Sequence, residues 1–177
     1  KIKKIKKKNK LFKKNFRDIY IKKLKFELTN DQMSAIKDIE NDLKSRERMF
    51  RLIQGDVGSG KTIVSLISAL NTIKSGYQVA FMVPTEILAK QHFNFAKSFF
   101  DSNIIVELLS GKTELYNKQK ILRNLENNKI NLIIGTHSLF QKKIKFKRLG
   151  LIVIDEQHKF GVNQRKDLSD KGGNDCD

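Results

Sequence analysis

Residues 51–62 read Arg-Leu-Ile-Gln-Gly-Asp-Val-Gly-Ser-Gly-Lys-Thr, and three of the chain's 10 glycines fall within positions 55–60. Gly55, Asp56, Val57, Gly58, Ser59, Gly60, Lys61 and Thr62 fit the pattern G-x-x-x-x-G-K-[ST] at every fixed position. Glycines let a backbone curl closely around a phosphate chain so that successive N–H groups point inward as donors. The apolar run Phe50–Gln54 ahead of the loop predicts a strand. Ile63, Leu66, Ile67 and Leu70 behind it recur at helical spacing and predict a helix, with Gly76 as its stop. That helix would add the positive end of its dipole to the same anion site. In this context Lys61 is expected to reach the β- and γ-phosphates of ATP, and the Thr62 hydroxyl to ligate Mg²⁺. A glycine turn that binds nothing is the plainer alternative; the strand–loop–helix setting argues against it.

A second stretch complements the first. Leu149–Ile154 is an apolar strand that ends in Asp155-Glu156-Gln157-His158. Ligands of open parallel sheets bind beyond the carboxyl ends of the strands. There Asp155 is expected to hold Mg²⁺ through water and Glu156 to deprotonate an attacking water. A polar turn after a core strand would look the same in isolation, but here a phosphate loop precedes it. His158 is expected to hydrogen-bond near the nucleotide rather than ligate a metal. His92, His137 and His158 show no ligand spacing, and Cys176 is the only cysteine.

Between and around these stretches the pattern alternates. Residues 28–45 predict a helix capped at Thr29 or Asn30, with Met33, Ile36, Ile39 and Leu43 on one face. Then come a strand (Gln78–Val83), a helix (Glu86–Phe99), a strand (Ile104–Leu109), a polar helix (Glu114–Asn127) and two strands (Ile130–Ile134, Leu149–Ile154). The runs FMV, LII and LIVI do not alternate with polar residues, as expected of strands buried on both faces. The order predicts an α/β fold: an open, mostly parallel sheet with helices on both faces.

The charge is uneven. Residues 1–25 hold 13 Lys and Arg against Asp18 alone, a net of +12, which leaves +5 of the chain's +17 for the other 152 residues. Residues 1–25 therefore read as a basic arm or linker, either binding nucleic acid or merely solvated, ahead of a domain over 26–177. One cysteine suits a reducing, cytoplasmic setting, and no apolar run approaches the ~18 residues of a membrane span.

The D-E-x-H box after its strand resembles that of the superfamily 2 helicases and translocases. Further stretches sharpen the likeness: Phe26-Glu-Leu-Thr-Asn-Asp-Gln32, Pro84-Thr-Glu-Ile-Leu-Ala-Lys-Gln-His92, Gly135-Thr-His-Ser-Leu-Phe140 and the run DEQHKFGVNQR from Asp155. The pattern is nearest the branched-DNA helicases of that superfamily; the transcription-repair coupling and primosomal restart types are the competitors. The resemblance covers roughly residues 25–174. It implies a RecA-like motor domain that uses ATP and Mg²⁺ and works on forked or branched DNA. It also implies that Gln32 reads the base, although Gln32 could simply complete a capping box with Thr29. Thr85, Gln91, His92, Thr136 and His137 would lie in loops that grip a nucleic-acid backbone; their plainer reading is turn and cap chemistry.

The family's pattern further implies parts beyond this chain: a strand ending in an S/T-A-T motif, a second motor domain carrying an arginine finger, and a wedge domain that reads the junction. The first residue is Lys, and the expectation is a fragment of a longer polypeptide that is inactive by itself. The missing strand would belong between the phosphate-loop strand and the acidic-box strand. A decayed, non-catalytic nucleic-acid-binding fragment is the alternative from another class.

Overall fold

The computed structural model describes residues 5–7, 16–161 and 170–177. Most of the basic stretch 1–15, and residues 162–169 at the end of the FGVNQR run, lie outside them. The described elements are α1 (Arg17–Ile21), α2 (Asn30–Lys44), α3 (Lys61–Lys74), β1 (Gln78–Met82), α4 (Glu86–Phe99), β2 (Val106–Leu109), α5 (Leu115–Glu126), β3 (Leu132–Gly135) and β4 (Leu149–Ile154). Short 3₁₀ turns cover His137–Phe140, Gln157–Lys159 and Gly173–Asp175.

The four strands form one parallel sheet in the order β2-β3-β1-β4. Alternation along the strands divides the core in two. Val79, Phe81 and Val83 pack with Ile36, Leu66, Ile67 and Leu70 of α2 and α3. Ala80 and Met82 turn to the other face, against Leu109, Ile133 and the α5 residues Ile121 and Leu125. Helices on both sides are what the unbroken apolar strands require.

Most polar side-chain atoms inside this frame are paired, Asn71 Oδ1 being an exception. Gln78, buried at the start of β1, donates to the carbonyls of Leu125 and Ile130 (both 3.0 Å) and accepts from Arg148 N–H at 3.1 Å. Glu40 of α2, also buried, accepts from Arg17 (3.1 Å) and from Asn71 of α3 (2.8 Å), tying three helices together. Part of the basic N-terminal stretch is thereby built into the body. Tyr20 of α1 is buried against Phe99 and Phe100 and donates its hydroxyl to Asp101 at 2.8 Å. The Lys7 ammonium, also buried, meets the Asp177 carboxylate at 2.5 Å.

One expected strand is not a strand. Residues 50–54 carry no ladder, and Phe50 and Leu52 are 61% and 59% exposed. The reason is geometric: among the described residues no strand flanks them, and a cleft of about 690 Å³ separates Met49, Leu52 and Ile53 from Ile152 and Ile154 of β4. At one end of that cleft Asp177 already pairs with β4. Its N–H donates to Gly150 O (3.1 Å) and its carbonyl accepts from Ile152 N (2.7 Å), the pattern of a parallel pair.

Candidate active site

The cleft opens at the carboxyl end of β4, where Lys61, Thr62, Asp155 and Gln157 line one mouth. Two segments about 90 residues apart in the sequence thus converge. The cause is strand order: β4 lies beside β1, and α3 packs over both, so the loop that starts α3 faces the turn that ends β4.

The loop takes its shape from its glycines. Gly60, with φ +81°, is the residue before α3, a left-handed conformation that L side chains rarely adopt. A Cβ there would also lie 2.3 Å from Gln32 Nε2. The Lys61 ammonium donates to the carbonyls of Gly55 (2.7 Å) and Asp56 (2.8 Å), so it lies across the bowl of the loop. A phosphate at the N-terminus of α3 would meet that charge, the loop N–H groups and the helix dipole together. Val57 is fully exposed at the tip, and Ser59 N bonds back to Asp56 O at 3.1 Å.

Gln32 serves two elements at once. Its backbone N–H donates to Thr29 Oγ1 (3.2 Å) while its Oε1 accepts from Thr29 N (2.9 Å), the reciprocal capping box of α2. Its Nε2 then donates to Ser59 O of the phosphate loop at 2.8 Å. A carboxamide carries two acceptor lone pairs and two donor hydrogens. With these bonds made, one acceptor lone pair and one donor hydrogen are left.

Asp155 is held at both oxygens. Oδ2 lies 3.2 Å from His92 Nε2, and Oδ1 accepts from Glu156 N–H at 3.0 Å. An ionised carboxylate only accepts, which assigns the proton to Nε2 of His92. The His92 bond, joined by the Glu156 N–H and the Lys61 charge, keeps the Asp155 carboxyl below the ordinary carboxylate range although partial burial opposes it. Glu156 follows with φ +51°, which swings its side chain out of line with Asp155. It is exposed, and the exposed His158 lies 3.4 Å from it, on the outer side of the turn.

Asp155 and Thr62 supply two oxygen donors, a hard set that suits Mg²⁺ when phosphate and water complete the shell. Among the described residues no group of three or more His, Cys, Asp and Glu could hold a metal by itself. With two protein oxygens, any cation here would share its shell with phosphate and water.

The five residues of the helicase-like loops divide. Thr85, Gln91 and His137 are exposed. Thr85 also caps α4, accepting from Leu88 N at 3.3 Å. Thr136 is buried, beside the close approach of Gly135 to Leu109, where a Cβ would lie 2.4 Å from a carbonyl oxygen. His92 turns inward onto Phe81, with ring centroids 5.0 Å apart. The bond from His92 to Asp155 is the feature that sequence reading missed; its only signal was that Gln91 and His92 are neighbours on a helix and so point different ways.

Fold and loop together define a phosphate-loop nucleotide-binding domain with a parallel sheet. Likeness to known proteins narrows this. The DEAD/DEAH box helicase family matches residues 29–174, and the chain belongs to it. It is 51% identical over 154 residues to the ATP-dependent DNA helicase RecG of Thermotoga maritima, covering 86% of this chain and 20% of that protein. The RecG of Aquifex aeolicus is 50% identical over 153 residues, covering 86% and 19%. A solved structure of RecG bound to a three-way DNA junction superimposes with a TM-score of 0.82 at 46% identity, covering 88% of this chain and 22% of that one. The UvsW helicase of bacteriophage T4 shares the fold, with a TM-score of 0.66 at 17% identity over 89% of this chain and 55% of its own. The chain thus spans about a fifth of the RecG proteins it matches. No helix among the described residues is long and apolar enough to cross a membrane.

Proposed function

We propose that this chain is the ATP-binding part of a RecG-type DNA helicase, a cytoplasmic motor that acts on forked or junction DNA in recombination and repair. The observation that carries the reading is the convergence of Lys61, Thr62 and Asp155 on one cleft mouth, in a chain 46–51% identical to RecG helicases. The loop N–H groups and Lys61 bind the phosphates, and the edge of Gln32 meets the base. Asp155 and Thr62 hold Mg²⁺, which offsets the charge of the phosphates. Glu156, exposed in the turn that follows Asp155, takes the proton of the attacking water. Thr85, Gln91 and His137 face outward, where a DNA backbone can be reached. The cleft along β4 takes a fifth parallel strand between β4 and residues 50–54, and the second motor and wedge domains belong to the same polypeptide.

The test is a transplant. This chain replaces the matching segment of the Thermotoga maritima RecG, and the chimera is assayed for ATP hydrolysis with a three-way junction. Retained junction-stimulated hydrolysis is expected. Glu156→Gln should keep ATP binding yet lower turnover about 10²- to 10⁴-fold, the usual worth of a positioned base. Lys61→Ala should weaken binding itself by roughly 10- to 100-fold, as for one hydrogen bond from a charged group. Normal turnover in Glu156→Gln would overturn the role given to Glu156.

A further inference from the structure

His92 belongs to the stretch that resembles a DNA-contact loop, yet its side chain is only 11% exposed and points at the nucleotide site. Its place is set by the core. Its ring lies against Phe81 of β1, and Phe81 is in register with Val153 of β4, two residues before Asp155. Asp155 N in turn bonds to Met82 O at 2.9 Å. Ring, strand and carboxylate form one closed loop of contacts, with Nε2 of His92 aimed at Oδ2 of Asp155.

We propose that His92 is a positioning residue for Asp155. It fixes the rotation of the carboxylate, so that the lone pairs left free by the His92 and Glu156 bonds would stay available to a cation that Asp155 shares with Thr62. This role rests on the reading of Asp155 as the Mg²⁺ carboxylate. Without the His92 donor, only the Glu156 N–H would restrain the group, and the carboxylate could turn about its χ2 bond. Hydrogen-bond partners of metal-holding carboxylates are commonly worth 10- to 100-fold in metal affinity. Positioning differs from DNA contact, which needs an outward side chain, and from mere core filling, which needs no donor.

The experiment is a binding titration on the chimera in which this chain replaces the matching segment of the Thermotoga maritima RecG. A fluorescent, non-hydrolysable ATP analogue is bound at rising Mg²⁺, and the Mg²⁺ concentration for half-maximal binding is read. His92→Phe keeps a ring on Phe81 but removes the donor; His92→Met removes it without adding ring volume. Both should raise the Mg²⁺ requirement about tenfold, while affinity for the analogue without Mg²⁺ stays within about twofold because the Lys61 loop is untouched. His92→Gln, whose amide can take the place of Nε2, should stay near the parent. Circular dichroism melts identify any variant that does not fold, in which case the other donor-less variant carries the test. The proposal is overturned if the donor-less variants keep the parental requirement, or if His92→Gln is as impaired as they are. Asp155→Asn separates the two levels. If it leaves the Mg²⁺ requirement unchanged, the metal reading of Asp155 fails and the role of His92 with it; if it shifts the requirement while His92→Phe does not, only the positioning role falls.

Discussion

Residues 78–82 and residues 50–54 are both short apolar runs leading into a loop of the site, and they end in opposite conditions. Gln78–Met82 is buried throughout and paired on both sides, to β3 and to β4. Phe50–Gln54 has no ladder and borders a cleft. Their compositions suit a strand about equally. The difference teaches that strand propensity is the fit of a pleated segment between neighbours rather than a property of the segment. It also divides the molecule into two working halves. The closed side, with β1 to β3 and their helices, holds position, and the open side carries the phosphate loop and the cleft.

The sharpest way to break this contrast is a pair of truncations. Phe81→Ala, at a site 1% exposed in the middle of the sheet, should cost about 3–5 kcal/mol. Phe50→Ala, at a site 61% exposed, should stay within about 0.5 kcal/mol. Urea unfolding of the two variants reads both numbers, and equal losses would show that residues 50–54 are as well packed as β1. A step down in size, Gly135→Ala should cost about 1–3 kcal/mol, because its Cβ would meet Leu109 O at 2.4 Å and Leu139 at 3.0 Å across the closed side. A melting temperature equal to the parent's would mean that β2 and β3 can part, and that the closed side yields where the contacts say it should not.

A further effect, read through pH, concerns how far the closed side reaches into the basic N-terminal stretch. Burial first, and then the bond to Asp101, push the Tyr20 hydroxyl up to about 12. Its folded-state value lies above the unfolded one, near 10, so its contribution is complete below pH 10 and is lost as pH rises through 12. The loss is bounded at about 2–3 kcal/mol by a two-unit shift. Thermal melts at about pH 9 and pH 11, either side of the unfolded value, should therefore converge more closely in Tyr20→Phe than in the parent. An unchanged pH dependence in that variant would place Tyr20 outside the packed body.

The same contrast between local and distant partners decides what is legible in the sequence. The helix boundaries are legible because their signals are local: Thr29 with Gln32 at α2 and Thr85 with Leu88 at α4 act within three residues. The glycine loop and the acidic strand end are legible as patterns of residue type. Residues 50–54 mislead because their pattern is local while a strand's partners are not. His92 reads with its own loop rather than with Asp155 because the two lie 63 positions apart.

The amino-acid sequence by itself determined the parallel α/β architecture, the phosphate loop and the carboxylates, since glycine freedom, apolar runs and side-chain chemistry are properties of neighbouring residues. Only the tertiary structure decided that β4 lies beside β1, that Lys61, Thr62 and Asp155 share one mouth, and that His92 faces Asp155 while Gln91 faces out. Those facts depend on strand order, and strand order is settled by how whole elements bury their apolar faces against one another.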